Sequence, residues 1–126
     1  MRVLGVGTDI LDERRIIRLV DVGGDRFLTH WYTPAEIAFC RQSSRPGHAA
    51  ARCFAVKEAA LKAIGGSFPG PVRWREIEVL TDPQGIPSVR LWGETATHAS
   101  QAGVLRLFAS TARHAGWVAA VVIAEG

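Results

Sequence analysis

The sequence predicts an α+β fold in one domain, residues 1–126, with a mainly antiparallel sheet packed on a long helix. Three observations carry this. A β-branched run at residues 3–10 opens the chain. Apolar residues then recur at helical spacing in several pieces as far as Ile64. After Glu76, period-two runs separated by tight turns take over. A length of 126 residues suits one core rather than two.

The first strand, residues 3–10, is interrupted by Gly5 and Gly7, and glycine inside a strand marks close approach of another backbone or a ligand. From Asp12 the pattern turns helical, with Ile16, Ile17, Leu19 and Val20 on one side and Gly23-Gly24 as the stop. Residues 26–31 add a helical turn. Thr33-Pro34-Ala35-Glu36 reads as a helix start, combining a cap, a first-turn proline and a capping box, and this helix runs to Cys40 or Arg41. Residues 42–47 are a polar loop. The longest helix spans 49–64, stopped by Gly65-Gly66 and Pro69, with a Gly/Pro-rich loop at 67–71. Strands at 76–80 and 89–92 flank Asp82-Pro83-Gln84-Gly85, which is turn chemistry, and make a hairpin. A small helix at 93–102 and two strands, 104–109 and 117–123, close the chain.

Apolar residues at 48% and charged residues at 21% exclude a disordered chain, a collagen-like fibre and a coiled coil. The net charge of +3 comes from scattered arginines; it suits acidic partners or phosphate ligands and gives little support to nucleic-acid binding. Cys40 and Cys53 make neither a disulfide framework nor a zinc site, so a reducing cytoplasm is expected. No signal peptide or membrane span is expected. Thirteen of the fifteen basic residues are arginine, and the two lysines, Lys57 and Lys62, flank Glu58.

Two carboxylates are candidates for chemistry. Asp9 ends an apolar strand, where aspartate is disfavoured; it is either a turn aspartate or a ligand for a hard cation such as Mg²⁺. Glu58 shares a helix face with Phe54, Leu61 and Lys62. It either pairs with Lys62, a weak helical ion pair, or joins Asp9 on a metal while Lys62 neutralises phosphate. The common nucleotide motifs are absent. His30, His48, His98 and His114 lack ligand spacing and read as surface residues, and the four tryptophans read as core or interface anchors.

Gly5-Val6-Gly7-Thr8-Asp9-Ile10, the run from Phe54 to Gly65 containing Lys57-Glu58-Ala59-Ala60-Leu61-Lys62, and the closing Trp117-Val118-Ala119-Ala120-Val121-Val122-Ile123 together resemble the holo-acyl-carrier-protein synthases, the small class of 4′-phosphopantetheinyl transferases. The resemblance implies transfer of phosphopantetheine from coenzyme A to a serine of an apo acyl carrier protein, with release of adenosine 3′,5′-bisphosphate. It implies Asp9 and Glu58 as Mg²⁺ ligands and Lys62 at the transferred phosphate. A metal-bound water or a carboxylate of the cluster would take the serine proton. Lys57, Lys62 and Gly65, with Arg52 and Arg113, are implied along coenzyme A. Arg15, with Arg26 and Phe27, is implied in carrier-protein docking, and a homotrimer with each site between two subunits is implied as the assembly.

Two departures stand out. Cys53 occupies the family's arginine position, with Arg52 one residue earlier and about 100° away around the helix. Ser110-Thr111-Ala112-Arg113 replaces a Ser-x-Ser/Thr-His pattern, with His114 one place late. Arg113 keeps positive charge and adds a bidentate fork for a phosphate of coenzyme A, but cannot act as a base near neutral pH. Such changes suit a member specialised for one biosynthetic pathway, whether in fatty-acid or polyketide assembly. They also support the alternative of an inactive relative that binds coenzyme A or carrier proteins.

Overall fold

The computed structural model describes residues 2–65 and 70–126. Along the chain run β1 (Val3–Asp12), α1 (Glu13–Trp31), α2 (Pro34–Gln42), α3 (Pro46–Ala63), a 3₁₀ turn (Trp74–Glu76), β2 (Ile77–Thr81), β3 (Pro87–Leu91), α4 (Gly93–Gln101), β4 (Arg106–His114) and β5 (Trp117–Glu125). The α+β order is the expected one. The antiparallel sheet comes in two pieces: a three-stranded sheet ordered β1-β5-β4, and the β2-β3 hairpin.

The long helix α3 is the centre of the molecule. Ala50, Ala51, Ala55, Ala59, Ala60 and Ala63 are buried along it, so it is thin enough to lie close against the sheet. Gly5 and Gly7 complete that fit. A methyl group at either position would run into the carbonyl oxygen of Ala63 or Ala59, respectively. The strand glycines therefore admit a helix backbone, and small residues one helical turn apart meet small residues two strand positions apart. On β5, Val118, Ala120, Val122 and Ala124 face this helix in strict alternation and are buried.

Several boundaries moved, each for a local reason. α1 continues past the expected glycine stop, but Gly24 (φ 52, ψ −134) kinks it there, so residues 26–31 form a second helical segment. α3 begins at Pro46 rather than residue 49, because proline at the first helical turn shortens the expected polar loop. β4 and β5 extend to meet at His114 and Trp117 across a two-residue turn, Ala115 (φ 49) and Gly116 (φ 83), whose left-handed backbone matches the twist of the strands. The expected helix stop at Gly66 and Pro69, and most of the 67–71 loop, lie outside the described residues.

The Thr33 capping box forms as read: Glu36 N donates to Thr33 Oγ1 at 3.3 Å, and Thr33 N donates to Glu36 Oε1 at 2.8 Å. Glu36 does more than cap. It is buried, accepts from Val79 N at 2.7 Å and from Cys53 Sγ at 3.1 Å, and lies 2.7 Å from Lys57 Nζ. One carboxylate thus ties α2, α3 and the hairpin together.

Candidate active site

β1 and α3 bring three charged groups to one place. Asp9 projects from β1 on the side that faces α3, opposite Ala120 of β5. Glu58 and Lys62 stand one helical turn apart on α3, beside the alanines that contact Gly5 and Gly7. Lys62 Nζ donates to Thr8 O at 2.8 Å and lies 3.5 Å from Asp9 Oδ1. The Asp9 charge acts directly on the Glu58 carboxyl. Partial burial, then the neighbouring Asp9 charge, push the Glu58 carboxyl above the ordinary carboxylate range, while Lys62 and Arg15 pull the other way. Two neighbouring carboxylates with a lysine beside Asp9 are a donor set for a hard divalent cation. Among the described residues no group of three or more His, Cys, Asp or Glu forms a full metal cage. An ion here would therefore draw its remaining oxygens from phosphate and water, the habit of Mg²⁺.

A second feature is a cavity of about 260 Å³ lined from α2, α3, β2, β3 and β4. Arg45, His48, Arg52 and Arg113 all line it. Arg52 Nη2 donates to Gly85 O and Thr111 Oγ1, both at 3.0 Å. Cys53 lines the same cavity, so the neighbouring Arg52 keeps a guanidinium at this wall although Cys53 itself turns to Glu36. Burial first, and the Glu36 charge second, hold the Cys53 thiol well above its usual range, and the Cys40 thiol is pushed up to about 11. Neither is an activated nucleophile. Arg113 is held by Glu13 through two bonds, Nε to Oε2 at 2.8 Å and Nη2 to Oε1 at 2.6 Å.

Not every expected residue reaches a site. Lys57 is fully buried, and its Nζ meets Glu36 Oε1, Trp31 O and Trp74 O, which occupy all three ammonium protons. Its expected contact with coenzyme A is corrected: the ammonium is a core group. Phe27 is half-buried and packs edge-on against Tyr32 at 6.0 Å, so its ring serves the core before any docking surface. Arg15 and Arg26 are exposed, and Arg15 stands close enough to act on the Glu58 charge. Gly65 (φ 92) ends α3 in a left-handed conformation, just before the residues left undescribed. Glu13 carried no sequence signal, because an acidic residue in a first helical turn is ordinary dipole chemistry; His48, read from the sequence as a surface residue, is half-buried and lines the cavity.

The 4′-phosphopantetheinyl transferase superfamily profile matches residues 5–122. The chain belongs to that superfamily. A holo-acyl-carrier-protein synthase of Koribacter versatilis is 39% identical over 123 residues, covering 98% of each chain. The crystal structure of the holo-acyl-carrier-protein synthase of Neisseria meningitidis superposes with a TM-score of 0.87 at 33% identity, covering 99% of this chain and 100% of that one. That of Helicobacter pylori, solved in complex with coenzyme A, gives 0.79 at 28% identity over 95% of this chain and 99% of its own. Within this superfamily member, the matched span holds Asp9, Glu58, Lys62 and Arg113 alike.

Proposed function

We propose that this chain is a holo-acyl-carrier-protein synthase, moving 4′-phosphopantetheine from coenzyme A to a serine of an apo acyl carrier protein. The convergence of Asp9, Glu58 and Lys62 at the β1–α3 contact carries the reading. Asp9 and Glu58 would hold Mg²⁺, which when bound grips the pyrophosphate and spreads the charge that develops there. The serine Oγ forms a bond to the phosphorus bearing pantetheine as that phosphorus parts from adenosine 3′,5′-bisphosphate. The serine proton passes to a carboxylate oxygen of this cluster or to a water beside it. Lys62, half-exposed and anchored on Thr8 O, neutralises phosphate as a compact charge. Arg52 and Arg113 in the cavity suit the second phosphate of coenzyme A, and exposed Arg15 and Arg26 suit an acidic carrier protein.

The outer face of the three-stranded sheet supports assembly of several copies. Val6 of β1 pairs with Ile123 of β5, which pairs with Phe108 of β4, and all three are exposed, as are Ile10, Trp117 and Val121 beside them. An apolar sheet face of this extent calls for a partner. Association of three copies through it fits the transferase reading and would set each site near a neighbouring subunit. No helix among the described residues is long and apolar enough to cross a membrane, and the two free cysteines suit the cytoplasm.

The test is intact-protein mass spectrometry of an apo acyl carrier protein incubated with the enzyme, coenzyme A and Mg²⁺. The carrier should gain the phosphopantetheine mass; no gain with any carrier protein of the source organism removes the transferase reading. A second reading, binding without transfer, rests on Cys53 and Arg113 standing where the family carries arginine and histidine, and turnover excludes it.

A further inference from the structure

We propose that Glu13 is a positioning residue for phosphate recognition: it holds the Arg113 guanidinium side-on, so that the opposite edge of the fork is presented to the cavity beside Arg52. This rests on the coenzyme A reading above and adds a residue to it.

The geometry is specific. Glu13 is the first residue of α1 and is only 2% exposed, whereas the Arg113 side chain, on β4, is 42% exposed. The two bonds to Glu13 use Nε–H and one Nη2–H. A guanidinium has five N–H groups, so three remain, both on Nη1 and one on Nη2, directed away from the carboxylate. Since Arg113 lines the cavity, this remaining edge is the part available to a ligand. His48 stands against the same carboxylate, its buried Nδ1 3.0 Å from Glu13 Oε2. The Arg113 bonds hold the Glu13 carboxyl below its ordinary range, so the clamp stays charged.

The clamp also decides what Arg113 contributes. Glu13 cancels its charge, so the attraction for an anion comes from Arg45 and Arg52, while Arg113 supplies donors fixed in direction. A pre-oriented fork loses little freedom when it meets the planar edge of a phosphate. Coenzyme A carries a phosphate monoester besides its pyrophosphate. With the pyrophosphate assigned to the carboxylate pair, the monoester is the group left for this fork.

Steady-state kinetics with coenzyme A and with dephospho-coenzyme A, which lacks the monoester, test the role. Glu13→Gln should raise KM for coenzyme A about tenfold, with the change in KM rather than kcat, and should leave KM for dephospho-coenzyme A where it was. Arg113→Lys should lose the same preference, and the double variant should add little to either. Glu13→Asp keeps the charge but withdraws the carboxylate, and should show a smaller shift in the same direction; it carries the test if Glu13→Gln does not fold. Equal shifts for both substrates, no shift, or a lower KM for coenzyme A overturn the role of Glu13. Absence of transfer by the unaltered enzyme overturns only the transferase reading. The affinities for the two coenzymes, measured by calorimetry on the unaltered protein and Glu13→Gln, then decide the question.

Discussion

Glu58 is where the chemistry concentrates. Glu58→Gln keeps size and polarity but removes the charge a cation needs, and transfer should fall below detection while the circular dichroism spectrum stays unchanged. Lys62→Ala should lower turnover about 10²- to 10³-fold, read as kcat in the carrier-protein assay. The pH dependence has a definite sign. The folded Glu58 carboxyl binds its proton more tightly than the unfolded one, so stability declines as pH rises from the ordinary glutamate range through the raised value. A divalent cation favours the deprotonated pair, so Mg²⁺ should raise the melting temperature more at pH 8 than at pH 5. Equal shifts at both pH values would contradict a cation at Asp9 and Glu58. At this scale the sequence marked Asp9, Glu58 and Lys62 as candidates, since a carboxylate in an apolar strand and a lysine surviving among arginines stand out, but it left a turn aspartate and a helical ion pair open beside them; the structure brings Asp9 and Lys62 together. It misled on Lys57. α3 is buried almost all round, so its periodicity leaves no polar face on which to sort one lysine from the other.

Among elements, the contact of β1 with α3 sets the distance between the candidate ligands. Gly7→Ala should force the helix outward, cost about 1–3 kcal/mol in chemical denaturation, and reduce transfer further than the lost stability explains. The pair of Glu36 and Lys57 joins elements without touching the site. Lys57→Met leaves a buried carboxylate short of its cation, and should destabilise by about 3–5 kcal/mol, with part recovered when Glu36→Gln is added. Recovery by the second substitution marks a structural pair; a loss in KM for coenzyme A alone would restore Lys57 to the binding site. The sequence disclosed the capping box at Thr33 and Glu36 because both halves are local. The other partners of Glu36, Cys53 and Lys57 of α3 and Val79 of β2, are far along the chain, and no local pattern announces a contact at that separation.

For the molecule as a whole, the exposed row of Val6, Ile123 and Phe108 is the feature that a single chain does not explain. Phe108→Asp should convert the assembly to monomers in sedimentation velocity while leaving the inner face of β4, which carries Leu107 and Ala109, intact. The element order and the α+β class were readable because helical and period-two patterns are segregated along the chain. The sequence marked β5 as a closing strand, but it could not say that both faces of that strand would be apolar for different reasons, one for α3 and one, in the proposed assembly, for a neighbour. The most direct measurement is anomalous scattering from crystals grown with Mn²⁺ and coenzyme A. A peak bonded to both Asp9 and Glu58, with coenzyme A phosphate oxygens completing it, is the expected result; a peak touching neither carboxylate, with coenzyme A present, would contradict the assignment.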